Sequence, residues 1–303
     1  MTNKNTPLAE ALCPVCGVAG FTRYWKTDRS GISLFECLNC KSIIGDRAHL
    51  DKMSAADNWY DEPIVISDYL KAHEAAKDGY FSIVCRKLFK HLGVRPSFNI
   101  LDVGSGLGTF AEYVKSAGEK RFAVIGVEPS KYAIEFAETK GHTTVHGELK
   151  EGIYPYKKDF YDVCLLFNIL EHVQNPAQIL GLAADTVADN GIIVIRVPNI
   201  GFHRLLSTFK SPNLNPKGHP TNFSYKGLRL ITHNAHLEIV EVLFELGTNT
   251  IERMSLINKP SMKFIYTITK RFIMYVSLII FTLSFRRVNL APSMLVLAKK
   301  RLG

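Results

Sequence analysis

Three groups of residues in this sequence could do chemistry. Four cysteines form two Cys-x2-Cys pairs, Cys13-Pro-Val-Cys16 and Cys37-Leu-Asn-Cys40, with twenty residues between them. Each pair has the spacing of a turn that presents two thiolates to one ion, and four thiolates close a tetrahedral zinc site with no position open for substrate. The expected zinc is therefore structural. The second group is Ile100-Leu-Asp-Val-Gly-Ser-Gly-Leu-Gly, where an apolar run reaches Asp102 and then Gly104, Gly106 and Gly108. Glycines there allow a tight turn and the close approach of a ligand to backbone. Glu128 follows at the end of the next apolar run, where a carboxylate can accept hydrogen bonds from both hydroxyls of a ribose.

The third group is the pair Glu171-His172, just beyond a further apolar run. A histidine near neutral pKa can take the proton of a hydroxyl nucleophile, which makes His172 a candidate general base. The competing reading is structural, with Glu171 at a helix N-terminus and His172 packed beside it. The stretch from Asn199 to Ser224 reads as a long loop carrying His203 and His219. Long loops at a ligand-binding edge often cover the acceptor, and His219 is the stronger of the two candidates.

These residues need a scaffold, and the patterning predicts one. Residues 13–45 contain no long periodic stretch, as suits a small zinc ribbon. Apolar positions at helical spacing predict a helix over 64–92, and Pro96 ends it. From Phe98 onward short apolar runs alternate with helical patterns. The runs are Ile100–Val103, Ala123–Val127, Thr143–His146, Tyr161–Phe167, Gly191–Val197, Leu237–Leu246 and Ser293–Ala298. The helical patterns are Phe110–Ala117, Lys131–Lys140, Pro176–Ala188 and Tyr225–Ala235. Such alternation predicts a mostly parallel α/β sheet with helices on both faces. The chain divides into a zinc knuckle at 1–50, a helical lead-in or lid at 51–97, a core at 98–247, and a basic apolar insertion with the final strand at 248–303. Cys85 and Cys164 fall in apolar patterns and read as core.

The Gly-x-Gly-x-Gly spacing, with Asp102 two residues ahead, resembles motif I of class I methyltransferases. Gly147-Glu148, Phe160-Tyr-Asp-Val-Cys-Leu-Leu-Phe-Asn-Ile-Leu-Glu-His-Val and Arg196-Val-Pro-Asn are similar to later motifs of that family. The resemblance implies a Rossmann-like seven-stranded fold and S-adenosyl-L-methionine as cofactor. In that reading Asp102, Gly104, Ser105, Gly106 and Gly108 surround the methionine part, and Glu128, Pro129 and Ser130 hold the ribose. Glu148 lies near the adenine, and Phe167 and Asn168 complete the site. The Glu-His segment also resembles ubiquinone-type O-methyltransferases, in which a Glu three positions earlier helps hold a metal. Asn168 stands there in this chain, which argues against a catalytic metal. A knuckle ahead of such a domain resembles sugar C-methyltransferases, and also zinc-containing methyltransferases of ribosomal RNA. A cofactor-binding protein without turnover is a further alternative.

Charge bears on the acceptor. The chain has 37 Lys and Arg against 28 Asp and Glu; nine of the basic residues and none of the acidic ones lie in 259–303. Residues 1–258 are therefore balanced, which argues against nucleic acid as partner. In the tail, Phe272–Phe285 has no charge, and Lys263, Lys270, Arg271, Arg286 and Arg287 bracket it. A spanning helix needs about 20 apolar residues, so the expectation is peripheral membrane contact through 264–287. A hairpin packed on the sheet or at a dimer contact is the alternative. No apolar export signal is visible near the N-terminus, which points to the cytoplasm, including the inner face of its membrane. The acceptor suggested is a sugar or glycolipid precursor of cell-surface polysaccharide. The choice among oxygen, carbon and nitrogen methylation, and the oligomeric state, stay open.

Overall fold

The computed structural model describes residues 12–19, 22–28, 31–46, 80–207, 214, 218–244 and 260–301, without the side chains of 203, 205–207 and 260–271. The predicted helix over 64–92 is seen only at its end, because 64–79 lie outside the described residues, as does most of the lead-in at 51–97. The side chain of His203 lies outside them too.

In chain order the elements begin with β1 (Thr22–Thr27), β2 (Ser33–Cys37) and β3 (Ile43–Gly45), then α1 (Ser82–Leu92). The central run is β4 (Phe98–Val103), α2 (Thr109–Ser116), β5 (Phe122–Glu128), α3 (Lys131–Thr139), β6 (Thr143–His146) and β7 (Tyr161–Phe167). It continues with α4 (Pro176–Thr186), β8 (Val187–Pro198), α5 (Ile200–Ser207) and β9 (Thr221–Asn222). The last elements are α6 (Tyr225–Asn234), β10 (Leu237–Leu243), α7 (Pro260–Leu283) and β11 (Ser293–Lys300).

The main sheet has seven strands in the order β10-β11-β8-β7-β4-β5-β6. Strands β4 to β8 pair in parallel, and β11 runs antiparallel between β10 and β8. The central strands are apolar on both faces because both faces are covered. Successive residues serve opposite cores. Ile100, Val163, Leu165, Ile192 and Val194 pack with α1 and α2. Leu101, Cys164, Leu166, Ile193 and Ile195 pack with α4, α6 and the cysteine knuckle. The predicted Rossmann-like sheet, with helices on both faces, is the observed one.

Three local readings need correction. β8 starts at Val187 and not at Gly191, because α4 stops at Thr186 and Val187 is already extended at φ −84 and ψ 136. The stretch 199–224 is not all loop. α5 occupies its start, where Ile200 is buried against Leu34, Ile43 and Leu214, and β9 lies near its end. Glu171-His172 does not open a helix. The pair sits in the turn after β7, and α4 starts five residues later, capped by Asn175 Oδ1 on the Gln178 amide at 3.2 Å.

Candidate active site and metal centre

The carboxyl ends of β4, β5 and β7 form one edge of the sheet, and this edge holds most of the predicted site. Parallel strands leave ligands that edge, because loops there can diverge around a crevice. After β4 the chain turns through Gly104 at φ +68 and Gly108 at φ +70. A Cβ on Gly104 would lie 2.0 Å from Ile169 Cδ1, and one on Gly108 would lie 2.8 Å from His142 Cδ2. Both positions therefore require glycine for space as well as for conformation. The loop leads directly into α2, whose N-terminal amides face the same edge.

Glu128 at the end of β5 is buried. Its Oε2 accepts from the Gly106 amide at 2.8 Å and its Oε1 from the Ser130 amide at 2.9 Å. A carboxylate has about four acceptor sites, so each oxygen keeps one for a hydroxyl, and a diol fits. Asp102 is also buried, and burial, with the nearby Glu128 charge, raises it to about 7. Burial raises Glu128 as well. A buried acid whose charge is disfavoured by burial and by a neighbouring carboxylate suits a ligand that brings positive charge beside it. The Ser105 hydroxyl is buried with no protein partner and adds a polar group to the cradle.

The remaining predicted cofactor residues are placed unevenly. Ser130 caps α3 through its Oγ on the Ala133 amide at 3.2 Å, so its side chain is already engaged. Pro129 is exposed, and its carbonyl meets His146 Nε2 at 3.1 Å. Glu148 is exposed just past β6 and 3.7 Å from Lys150. Phe167 ends β7 in an aromatic cluster with Tyr80, Phe81 and Phe110, at centroid separations of 5.2, 5.5 and 5.9 Å. Asn168 Oδ1 accepts from Arg196 at 2.6 Å, and Arg196 lies 4.5 Å from the Tyr80 ring centroid. Tyr80, Phe81 and Arg196 thus build the wall beside Phe167. Of these, Arg196 stands in a motif, whereas Tyr80 shows only helical spacing and no sequence signal singles out Phe81.

His172 and His219 meet in this crevice, edge to face, with ring centroids 4.6 Å apart. Burial lowers His172 to about 4, His219 adds to the lowering, and hydrogen bonding to the Gly218 backbone opposes it. The imidazole is therefore neutral at pH 7 and able to accept a proton. Glu171 is 1% exposed, and both of its carboxylate oxygens are buried without a protein partner. Burial raises it to about 8. It does not cap α4, so its suggested helix-terminus role is not what the structure shows. Ligand atoms of Glu171, His172 and His219 lie within 4.8 Å of one another, a donor set of a kind that divalent cations accept.

The four knuckle cysteines converge. Cys13 Sγ lies 3.8 Å from Cys40 Sγ, and Cys16 Sγ lies 3.7 Å from Cys37 Sγ. A tetrahedron with about 2.3 Å metal–sulfur bonds has edges of about 3.8 Å, whereas a disulfide requires about 2.05 Å. The two turns match: Gly17 N donates to Cys13 O and Lys41 N to Cys37 O, both at 2.8 Å. The donor set fits a closed tetrahedral ion.

This module is tied to the catalytic edge by a link that nothing in the spacing foretold. β9 adds to the knuckle sheet, in the order β1-β2-β3-β9, through Ile43–Asn222 and Ile44–Thr221 pairing. Gly45 N donates to Pro220 O at 2.9 Å, and Thr221 N donates to Glu171 O at 3.3 Å. Ser224 Oγ donates to the Cys40 carbonyl, and the Ser224 amide donates to Ser42 Oγ at 3.2 Å. The segment carrying His219 is thus clamped between the knuckle and the turn that carries His172.

Comparison with known proteins agrees with this geometry. The profile of a family described as a methyltransferase domain matches residues 56–242. An uncharacterized protein of Methanocaldococcus jannaschii is 26% identical over 204 residues, covering 67% of this chain and 82% of that protein. A ubiquinone biosynthesis O-methyltransferase of Bradyrhizobium sp. is 25% identical over 161 residues, covering 51% of this chain and 62% of the enzyme. Among solved structures, a plantazolicin methyltransferase in complex with SAH superposes with a TM-score of 0.53 at 17% identity, covering 84% of this chain and 98% of that one. A second plantazolicin methyltransferase with SAH gives 0.52 at 16% identity, covering 84% and 99%. Both share the fold.

Proposed function

The chain belongs to the methyltransferase-domain family and is an S-adenosylmethionine-dependent methyltransferase, and from that premise we propose that it methylates a small sugar or glycolipid acceptor with His172 as proton acceptor. The observation that carries the mechanism is the neutral His172, in the turn after β7 beside the cofactor cradle, packed against the ring of His219. The cofactor supplies an electrophilic methyl group on a sulfonium. Asp102 and Glu128 would supply the negative environment for that cationic ligand, and Glu128, held by the Gly106 and Ser130 amides, would accept from its ribose. The glycine loop brings backbone amides close without a Cβ in the way. His172 holds the acceptor in line and takes its proton, while His219 orients the ring and restricts water.

Zinc is assigned to Cys13, Cys16, Cys37 and Cys40, supported by sulfur separations close to those of a tetrahedral site. The acceptor class rests on the knuckle's resemblance to sugar methyltransferases and on the charge balance of residues 1–258, which supplies no net positive charge for RNA. A precursor made at the cytoplasmic leaflet suits the basic apolar tail. The test is methyl transfer from labelled cofactor by the purified full chain into fractionated extract. Label is expected in the glycan or lipid fraction. Label in RNA and in neither of those overturns the acceptor assignment.

A further inference from the structure

The tail of the chain lies outside the family match, and its structure gives it a use. α7 turns one face to the protein: Met274, Ser277 and Phe281 are buried, and Phe281 packs on Tyr225 and Phe244 at centroid separations of 5.7 and 5.4 Å. The opposite face is apolar and exposed. Phe272 is 66% exposed, Tyr275 54%, Ile279 56% and Leu283 74%, and their spacing of three, four and four residues sets them in one stripe. In the turn after α7, Phe285 is 87% exposed, and Arg286 and Arg287 are exposed beside it. A contiguous run of large apolar side chains in water is unfavourable by about 25 cal/mol per Å², and such patches mark contact surfaces.

The loop that leads from α7 to β11 is fixed at the carboxyl end of β8. Asn199, directly after β8, donates through Nδ2 to Asn289 O at 2.8 Å and Ala291 O at 2.9 Å, and its amide donates to Pro292 O at 3.0 Å. Ser293 then pairs with Pro198 at the carboxyl end of β8. That is the edge at which Arg196 holds Asn168, three residues before Glu171. The loop that follows the arginines is thereby anchored at that edge, while Arg286 itself lines a cleft beside β10 with Tyr225, Arg229 and Glu241.

Charge selects the occupant. No Asp or Glu occurs in 259–303, which holds nine Lys and Arg. A second copy packed on this stripe about a two-fold axis would bring like charges together with no acid to offset them. A nucleic acid would meet the arginines and leave Ile279 and Leu283 in water. An anionic lipid surface satisfies both features. Among the described residues no helix is long and apolar enough to cross a membrane, so contact through α7 is lateral.

We propose that the Phe272–Tyr275–Ile279–Leu283 stripe, together with the exposed turn Phe285-Arg286-Arg287, docks on an anionic bilayer surface. The surface is read independently of the acceptor, so a soluble acceptor would leave it standing. The experiment is co-sedimentation of the full chain with phosphatidylcholine vesicles, with and without phosphatidylglycerol, at low and high salt. Binding to the anionic vesicles is expected to exceed binding to the neutral ones by about tenfold or more, and high salt should release part of it. The triple variant Ile279→Ser, Leu283→Ser, Phe285→Ser should lose binding about tenfold or more while keeping its affinity for S-adenosylhomocysteine, because all three side chains are exposed. Arg286→Glu with Arg287→Glu should remove the preference for anionic lipid. A wild-type chain that stays in the supernatant with anionic vesicles overturns the proposal. So does a wild-type dimer in sedimentation equilibrium that the triple variant abolishes, which would assign the stripe to a second copy.

Discussion

The rings of His172 and His219 cross at 83° with centroids 4.6 Å apart, although one follows β7 and the other precedes β9. Two imidazoles so close disfavour protonation of each other, which adds to the effect of burial on His172. Its proton affinity is thus set partly by a residue that the knuckle sheet holds in place.

A pH profile tests that setting. A general base at about 4 is already deprotonated across the neutral range. Activity should stay flat as pH falls from about 7 to about 5 and drop only below that. His219→Gln removes the repelling neighbour, so the acid limb should move to higher pH. His172→Ala should lower kcat by about 10²- to 10⁴-fold, with the affinity for S-adenosylhomocysteine unchanged. An acid limb near the ordinary histidine value in the wild type would show that His172 is not the group titrating.

Glu171 makes the opposite prediction for stability. Its folded pKa is raised, to about 8, while the unfolded chain has the ordinary value near 4.5. The folded protein therefore binds the extra proton between those values. The stabilising contribution is fully present below about 4.5 and is lost as pH rises through about 8. Glu171→Gln keeps the shape of the neutral carboxyl, so it should stabilise the protein at alkaline pH by on the order of 1–3 kcal/mol and make little difference in mild acid. Chemical denaturation at the two pH values measures this. Equal effects at both would mean that Glu171 is ionised throughout, as a bound cation would cause.

Much of this architecture was legible in the sequence. β6 and β7 match their predicted bounds, because each is a short run between turn residues. The glycine loop was legible because its conformation admits little else. The helix was legible from Pro176, where Asn175-Pro176 sets a cap residue before a proline at the first helical position, but Glu171 was set at a helix N-terminus that lies five residues further on. β9 was not legible at all. Two residues, Thr221 and Asn222, form no periodic pattern, and their partners Ile44 and Ile43 are remote in sequence. Pairings of that kind are decided by tertiary contact, and here one of them delivers His219.

Cofactor affinity should follow the two buried acids. Glu128→Ala removes a carboxylate that organises the Gly106 and Ser130 amides and offers acceptors to the ribose. It should weaken S-adenosylhomocysteine binding by about 1–3 kcal/mol, or roughly ten- to a hundredfold. Asp102→Asn keeps the shape and removes the charge. It should cost more for the cationic S-adenosylmethionine than for neutral S-adenosylhomocysteine. Titration calorimetry with both ligands gives the comparison, and equal losses would place Asp102 away from the charged part of the ligand.

The knuckle should act on the active site through β9. Metal analysis of the purified chain is expected to give one zinc per chain, lost in Cys37→Ser with Cys40→Ser; a second bound metal that survives this change and disappears in His219→Ala would mark Glu171, His172 and His219 as a further site. Removing the zinc should loosen β3, to which β9 is paired, and so free the segment carrying His219. Hydrogen exchange should then rise at Gly45 and Thr221, whose amides donate to Pro220 and Glu171, while amides of β4 and β5 keep their protection. The pH profile supplies an independent check, since an apo chain with an unmoored His219 should resemble the His219→Gln variant. If chelation leaves the exchange of Thr221 unchanged, β9 is held by Glu171 and α6 alone, and the zinc module is only an appendage.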